Sequence, residues 1–300
     1  MRDIVIIGAG TAGLTAAIYA CRAGRDVLVL EASSYGGQII NTPDIENYPG
    51  IRSVSGYDFA TGLYEQATGL GAEVRYEKVT GVEDRGDVKV VTTTQGAYEA
   101  RAVIVATGAK NRPLGVAREQ ELVGRGVSYC ATCDGMFFRG KDVAVVGGGN
   151  TAVGDALFLA NIARKVYLVH RRDYFRGSPA DVARLREADN VEFVVPAVVD
   201  ELIGDQALEA IRVSDPASGT SRRIDVSGVF VAVGQIPDNA AFAGVVDIDE
   251  RGYVVAGEDC VTRTPGVFVA GDCRTKQVRQ LVTAAGDGAV AATAASAYIG

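Results

Sequence analysis

Cys130 and Cys133, followed at once by Asp134, are the residues best suited to covalent chemistry in this sequence. Two intervening residues let both sulfurs meet in a small-loop disulfide, and a mixed disulfide formed at one cysteine can be resolved by the other. A carboxylate beside such a pair can donate or accept the proton that thiolate chemistry needs, although capping a helix is an equal alternative. The spacing predicts redox chemistry at the two cysteines, with Asp134 as acid or base.

Zinc binding is the main alternative for a Cys-x-x-Cys motif, and a structural zinc site needs four ligands. The other cysteines, Cys21, Cys260 and Cys273, form no second such pair, and His170 is the only histidine. We therefore expect no metal. A buried thiol pair without chemistry stays open as a second alternative, and the sequence assigns no role to the other three cysteines.

A glycine-rich turn, Gly8-x-Gly10-x-x-Gly13, directly follows the apolar run 3–7. The first glycine permits a tight turn, the second lets a pyrophosphate approach the backbone, and the third allows close helix packing. Glu31 ends the next β-branched run, where an acidic residue accepts hydrogen bonds from ribose hydroxyls and disfavours a 2′-phosphate. This site is predicted to bind FAD or NAD, and a glycine turn without a ligand is the alternative.

A second turn, Gly147-x-Gly149-x-x-Ala152, follows the apolar run 142–146. No acid ends its second strand, and three arginines occupy the segment 170–176 instead. Two of them, Arg171 and Arg176, are placed to bind a 2′-phosphate through charge-assisted hydrogen bonds, so this site is predicted to hold NADPH. A solvated basic turn is the alternative. The lone histidine before them is expected to be structural or a nucleotide contact rather than a catalytic base.

These motifs sit in a pattern of strand, glycine turn, helix and strand that occurs twice, which predicts an α/β fold. We expect two doubly wound Rossmann-like dinucleotide-binding domains, each with an added antiparallel β layer. The FAD domain is predicted to be discontinuous, over residues 1–112 and 243–300, and the NADPH domain, with the Cys-Ala-Thr-Cys motif, over 113–242. Predicted linkers are 111–115 and 241–246. Strands of a hairpin region are predicted at 74–82, 88–93 and 102–107.

Composition limits partners and compartment. The 300 residues carry a net charge of −7, which argues against a nucleic-acid partner. No apolar stretch approaches the length of a membrane span, and the N-terminus lacks the features of a secretory signal. Five cysteines do not make a disulfide scaffold in a chain of this length. We expect a cytoplasmic protein that binds neither nucleic acid nor membrane.

Nine short motifs recur, in this order and spacing, in one known family. They are Gly8–Gly13, Gly36–Gln38, Glu46–Gly50, Ala106–Gly108, Cys130–Asp134, His170–Arg176, Gly234 with Pro237, Gly271–Asp272 and Arg279–Gln280. Over essentially its whole length the chain resembles the low-molecular-weight thioredoxin reductases, class II of the pyridine nucleotide-disulfide oxidoreductases. The resemblance implies a flavoprotein, usually a homodimer, that reduces thioredoxin or a thioredoxin-like protein.

The resemblance also assigns residues. It implies FAD contacts from Gly8, Gly10, Gly13, Glu31, Gly37, Gln38, Asn47, Gly108, Gly271, Asp272, Arg279 and Gln280. It implies NADPH contacts from Gly147, Gly149, Asn150, Thr151, His170, Arg171, Arg172, Arg176 and Gly234. Within the redox pair, Cys130 corresponds to the cysteine that attacks the partner's disulfide, Cys133 to the one that contacts the flavin, and Asp134 to the family's acid.

Other activities are possible on this scaffold. A dithiol oxidase would ignore NADPH, and the complete run 170–176 argues against it. A ferredoxin–NADP reductase of this type lacks the cysteine pair, and a peroxiredoxin reductase of the alkyl-hydroperoxide type has an additional N-terminal thioredoxin-like domain. A non-catalytic NADPH or flavin sensor, with an idle cysteine pair, is the alternative from outside the enzymes. Turnover of NADPH with a disulfide would distinguish it.

Overall fold

The computed structural model describes residues 1–42 and 44–300 and divides into two compact units. Unit 1 comprises Met1–Lys110 and Ile236–Gly300, and unit 2 comprises Asn111–Gln235. The sequence-based boundaries, after residues 112 and 242, lie close by. The assignment of FAD to one unit and NADPH to the other stays a prediction.

The elements alternate between strands and helices along the chain. The first segment contains β1 (Arg2–Ile7), α1 (Thr11–Arg22), β2 (Val27–Glu31), α2 (Gly56–Gly69), β3 (Glu73–Tyr76), β4 (Val79–Arg85), β5 (Val88–Thr93), β6 (Ala97–Val105) and β7 (Ala109–Asn111). The middle contains β8 (Val127–Ser128), α3 (Ala131–Asp134), β9 (Asp142–Val146), α4 (Asn150–Ala160), β10 (Lys165–Val169), α5 (Pro179–Glu187), β11 (Val191–Val194), β12 (Val198–Ile203), β13 (Ala210–Ser214), β14 (Ser221–Asp225) and β15 (Gly228–Val231). The last part contains β16 (Gln235–Pro237), β17 (Val267–Val269) and α6 (Leu281–Ile299).

Unit 1 is built on one mixed sheet in the order β3-β2-β1-β6-β5-β4, and β17 also pairs with β6. Strand β6 forks the sheet, because its first half pairs antiparallel with β5 and its last three residues pair parallel with β17. The antiparallel strands thus continue the parallel sheet. The predicted strand 74–82 is wrong as a single element: β3 pairs parallel with β2, the chain leaves the sheet at 77–78, and β4 pairs antiparallel with β5.

The alternation of side chains along β1 produces two cores. Ile4 and Ile6 pack with α1 and α6 on one face, and Val5 and Ile7 pack into a separate apolar cluster on the other. That second cluster includes residues 242, 245 and 246. The predicted linker 241–246 is therefore wrong: its apolar side chains belong to the core of unit 1.

Unit 2 contains a parallel sheet in the order β11-β10-β9-β15-β8 and a separate antiparallel sheet, β12-β13-β14. Helix α4 connects β9 to β10 in the way that α1 connects β1 to β2. The predicted α/β class with two Rossmann-like domains is confirmed. No helix in the described ranges is long and apolar enough to cross a membrane.

Candidate redox and nucleotide sites

The two cysteines of the Cys-x-x-Cys motif are joined in a disulfide, with an S–S distance of 2.07 Å. Cys130 follows strand β8 and precedes the single helical turn α3, which brings Cys133 back beside it. The Thr132 hydroxyl lies 3.4 Å from the Cys130 sulfur and donates to it, since a disulfide sulfur has no hydrogen. Within residues 1–42 and 44–300, no group of histidine, cysteine and acidic side chains is arranged to hold a metal.

Asp134 ends the same helical turn and is held through one oxygen only. Its Oδ2 accepts a hydrogen bond of 2.6 Å from the Ser128 hydroxyl, while Oδ1 is buried without a hydrogen-bond partner in the described part of the chain. Burial raises the pKa of Asp134, and the Ser128 hydrogen bond partly opposes that shift. A buried carboxylate with one uncommitted oxygen is suited to proton transfer. Sequence reasoning missed Ser128, which no motif distinguishes.

A second carboxylate, that of Glu119, supports the strand leading to the redox pair. It is 3% exposed and accepts hydrogen bonds from the Tyr129 hydroxyl (2.7 Å) and from the amides of Leu114 (2.8 Å) and Gly115 (2.9 Å). Burial and this carboxylate together raise the pKa of Tyr129. The residue before Cys130 is thereby fixed to residues 114–115. Sequence reasoning missed this anchor too.

The glycine turn of unit 1 is as close-packed as the motif predicts. Gly8 has φ +109°, and a β-carbon on it would lie 2.4 Å from the carbonyl oxygen of Ala106. A β-carbon on Gly13 would lie 1.9 Å from the carbonyl oxygen of Gly8, whereas one on Gly10 would meet nothing within 4 Å. Two glycines therefore serve packing, and Gly10 faces open space, as a position approached by a ligand requires.

Glu31 lies beside this turn at the end of β2. Its two carboxylate oxygens accept hydrogen bonds from the amides of Ala9 (2.8 Å) and Ser33 (3.0 Å). The carboxylate is thus fixed at the position where an acidic residue binds ribose hydroxyls.

Asp272 occupies a short turn, Gly271–Cys273, that follows β17. Its Oδ1 is buried without a hydrogen-bond partner in the described ranges, and burial raises the pKa of the carboxyl group. The turn is held by Asp287 of α6, whose Oδ2 accepts from the Gly271 amide at 2.9 Å. A buried acceptor or donor that faces no protein group is an observation that a polar ligand would explain.

Asp287 also neutralises two buried cations. Its carboxylate binds Arg274 bidentately, with both distances 2.8 Å, and Lys276 at 2.9 Å. The hydrogen bonds from these two side chains lower the pKa of Asp287 against the opposing effect of burial. This ion cluster was missed in the sequence, where Asp287 reads only as an interruption in an Ala-rich helix.

The remaining predicted FAD contacts are distributed around unit 1. The side chain of Gln38 donates to the carbonyl oxygen of Ala109, and that of Asn47 donates to Gln280 at 3.3 Å. Gln280 also caps α6. The guanidinium of Arg279 donates to backbone carbonyls of 272, 274 and 276. Gly37 and Gly108 both have positive φ, +65° each.

The glycine turn of unit 2 repeats the geometry of the first. A β-carbon on Gly147 would lie 2.3 Å from the carbonyl oxygen of Ala232, and one on Gly149 would meet nothing within 4 Å. In the described parts of the chain, neither α1 nor α4 has a side-chain cap or an acidic residue in its first turn. Their first amides and the positive ends of their dipoles are left for an anion. Both turns therefore fit the pyrophosphate of a dinucleotide.

The basic segment 170–176 begins with a buried histidine and continues with exposed arginines. His170 is 8% exposed and packs against Gly148 of the glycine turn. Burial, followed by the charges of Arg171, Arg176 and Arg172, lowers the pKa of His170. The ring is therefore neutral at pH 7, as expected of a structural or nucleotide-contacting histidine rather than a general base.

The three arginines differ in their surroundings. The guanidinium of Arg172 lies over the ring of Tyr174, 5.4 Å from its centroid, and also binds the hydroxyl of that ring. Arg171 and Arg176 are exposed, and neither forms an ion pair with a carboxylate in residues 1–42 and 44–300. The backbone amide of Arg176 donates to the carbonyl oxygen of Gly148 at 2.7 Å, so its side chain starts at the glycine turn.

Three other predicted NADPH contacts have different local roles. The Asn150 side chain accepts a hydrogen bond from the amide of Ser178 at 2.9 Å, which ties the start of α4 to the start of α5. Thr151 is exposed in the first turn of α4. Gly234 follows β15 with φ +114°.

Comparison with known proteins supports these features. The family model of pyridine nucleotide-disulphide oxidoreductases matches residues 2–288. A thioredoxin reductase of Listeria innocua is 44% identical over 298 residues, which cover 99% of this chain and 93% of that protein. A bifunctional thioredoxin reductase/thioredoxin of Mycobacterium leprae is 45% identical over 302 residues, 100% of this chain and 66% of that protein. The crystal structure of thioredoxin reductase from Streptococcus pyogenes matches with a TM-score of 0.93 and 41% identity, covering 99% of this chain and 98% of that one.

Proposed function

This chain belongs to the pyridine nucleotide-disulphide oxidoreductase family, and on that premise we propose that it is a thioredoxin reductase. In this proposal electrons pass from NADPH through FAD to the disulfide of Cys130 and Cys133, and from there to thioredoxin or a thioredoxin-like protein. The observation that carries the proposal is a redox disulfide in a chain with two glycine turns, each fitted to a dinucleotide. The thioredoxin reductases among its relatives support the choice of substrate.

FAD is assigned to unit 1 because its turn is followed by Glu31, which favours an unphosphorylated ribose. The buried, unpartnered Oδ1 of Asp272 supports this assignment, since it is one of the residues that the family resemblance places at FAD. NADPH is assigned to unit 2 because Arg171 and Arg176 are exposed and without carboxylate partners where a 2′-phosphate would lie. When bound, these cofactors supply the hydride and electron-transfer chemistry that amino acid side chains lack.

The chain's own residues carry the exchange with the partner. The thiolate of Cys130 attacks one sulfur of the partner's disulfide, forms a mixed disulfide and releases the other sulfur as a thiolate. The thiolate of Cys133 then attacks the Cys130 sulfur, which re-forms the internal disulfide and releases the partner as a dithiol. Asp134 exchanges the proton that these steps require, through Oδ1. These roles follow from the family resemblance and remain to be tested.

Two cysteine variants test the function. Anaerobic addition of NADPH to the purified, FAD-loaded enzyme should bleach the flavin absorbance, and thioredoxin should restore it. Cys130→Ser should retain bleaching but lose turnover of thioredoxin. Cys133→Ser should trap a mixed disulfide at Cys130 with a thioredoxin that lacks its resolving cysteine. Trapping at Cys133 in Cys130→Ser, but not at Cys130 in Cys133→Ser, would reverse the assignment.

Assembly and compartment are parts of the same proposal. A homodimer is inferred from the family resemblance, and an apolar groove on α6 supports it, lined in part by Val261, Val290 and Ala294. Val261 is 43% exposed and Val290 40% exposed. A cytoplasmic location and a lack of nucleic-acid partners are inferred from composition. Sedimentation of the FAD-loaded protein tests the dimer.

A further inference from the structure

We propose that Ser128 is a positioning residue for the redox pair: by holding Oδ2 of Asp134 as an acceptor, it makes Oδ1 the oxygen that carries and exchanges the proton. The inference rests on the proposed function for the role of that proton. Ser128 is 4% exposed, so water does not replace its hydrogen bonds.

The Ser128 hydroxyl has one proton and two possible acceptors. Asp134 Oδ2 lies at 2.6 Å, and the carbonyl oxygen of Cys130 lies at 3.3 Å. The proton goes to the carboxylate, because that hydrogen bond is shorter and charge-assisted. The hydroxyl oxygen in turn accepts from the backbone amide of Cys130 at 3.1 Å. One buried hydroxyl therefore fixes both the aspartate and the backbone of the attacking cysteine.

The two oxygens of Asp134 are made unequal by this arrangement. A proton on Oδ2 would face the donating hydroxyl and force it to turn toward its poorer acceptor. A proton on Oδ1 leaves every one of these hydrogen bonds in place. Oδ1 has no hydrogen-bond partner within the described ranges, so it is the oxygen at which proton exchange does not first break a bond.

Few other ionisable groups lie on the elements packed against α3. The turn Gly135–Phe138 contains no titratable side chain, and α4 contains only Asp155, whose pKa burial raises to about 7. An Asp155→Asn background therefore isolates the titration of Asp134 from that of its neighbour.

The proton has a defined place in the reaction. Converting the disulfide to two thiols breaks one S–S bond and takes up two electrons and two protons. The electrons come from the reductant of the proposed function, and Asp134 transfers one proton while solvent supplies the other. Exchange with the partner then re-forms the internal S–S bond, breaks the partner's, and moves both electrons and both protons to the partner.

The chain contains a matched control for Ser128. In unit 1, the Thr93 hydroxyl donates to a carboxylate oxygen of Glu77 at 2.7 Å and accepts from the amide two residues on, that of Gln95, at 3.0 Å. Thr93 is 7% exposed. Thr93→Ala removes the same kind of hydrogen bond far from the redox pair in sequence.

The test is the infrared titration of Asp134 in the oxidised, FAD-loaded enzyme, carried out in the Asp155→Asn background. The C=O band of the protonated carboxyl group, assigned by its loss in Asp134→Asn, is followed against pH. Ser128→Ala should move this titration to higher pH, because the ionised form loses a donor. Ser128→Thr should restore it, and Thr93→Ala should leave it in place. An unmoved titration in a folded Ser128→Ala protein would refute the proposal.

Turnover gives a second readout. Ser128→Ala should lower kcat about tenfold, the loss expected for one hydrogen bond to a charged group, with little change in the KM for thioredoxin. Added to Asp134→Asn, the same substitution should lower kcat no further. A further tenfold loss in that background would mean that Ser128 acts without Asp134. The infrared titration needs neither NADPH nor thioredoxin, so its outcome is independent of whether thioredoxin is the substrate.

Discussion

The imidazole ring of His170 lies directly against the backbone of Gly148: a β-carbon built on Gly148 would be 2.3 Å from Nε2 of the ring. The middle residue of the second glycine turn is thereby tied to the residue that opens the arginine segment. Any side chain on Gly148 must displace the ring, and with it the backbone that presents Arg171.

Gly148→Ala should therefore impair NADPH binding. Displacement of a buried ring costs about 1–3 kcal/mol, which corresponds to a rise in the KM for NADPH of about fivefold to a hundredfold. Gly154→Ala is the control, because Gly154 is exposed on α4 and its β-carbon would meet nothing within 4 Å. That change should stabilise the helix by about 0.5–1 kcal/mol and leave the KM unchanged. Equal KM values for the two variants would contradict the prediction.

His170 should titrate below its ordinary pKa of about 6.5, because burial and three arginines disfavour the imidazolium. As it is the only histidine, its proton NMR signal is unambiguous. Adding 2′-phospho-AMP should raise its pKa, since the phosphate offsets the arginine charges, and AMP should raise it less. The sign for stability follows: the fold prefers the neutral ring, so His170 reduces stability as pH falls below about 6.5. Identical titrations with both nucleotides would place the phosphate elsewhere.

Arg171 and Arg176 should select NADPH over NADH. Each charge-assisted contact to a phosphate contributes about 1.5–3 kcal/mol, so replacing both by alanine should raise the KM for NADPH at least a hundredfold and that for NADH little. Replacing Arg184 and Arg186 of α5 removes the same charge and should affect neither cofactor. Parallel losses with NADPH and NADH in the first variant would assign the two arginines to folding or to the pyrophosphate.

Asp287→Asn should destabilise unit 1 and weaken FAD retention. The change leaves two buried cations, Arg274 and Lys276, without their carboxylate, at a cost of about 3–5 kcal/mol, and it releases the turn that carries Asp272. Urea unfolding and FAD release by dialysis measure the two effects. Glu83→Gln breaks an exposed ion pair and should cost less than about 1 kcal/mol. Comparable losses from both changes would refute a supporting role for Asp287.

The sequence allowed prediction of those features whose determinants lie close together in it. The glycine turns, the acid at position 31 and the disulfide are local patterns, and the family resemblance they carry is confirmed by the comparisons. Ser128, Glu119 and Asp287 were missed because their partners are brought to them only by the fold. The break at 77–78 was missed because β-forming residues continue on both sides of it, and only pairing with two different strands separates β3 from β4.

Unit 1 closes around two helices from distant parts of the chain: a β-carbon on Gly288 of α6 would lie 2.3 Å from the carbonyl oxygen of Ala12 in α1. During synthesis on the ribosome, α1 emerges early and its partner emerges last. Unit 2 is contiguous, so it can fold while the Ala-rich face of α1 still lacks its partner. We expect the nascent chain to expose that apolar face until α6 leaves the exit tunnel, and to depend on chaperones during this interval.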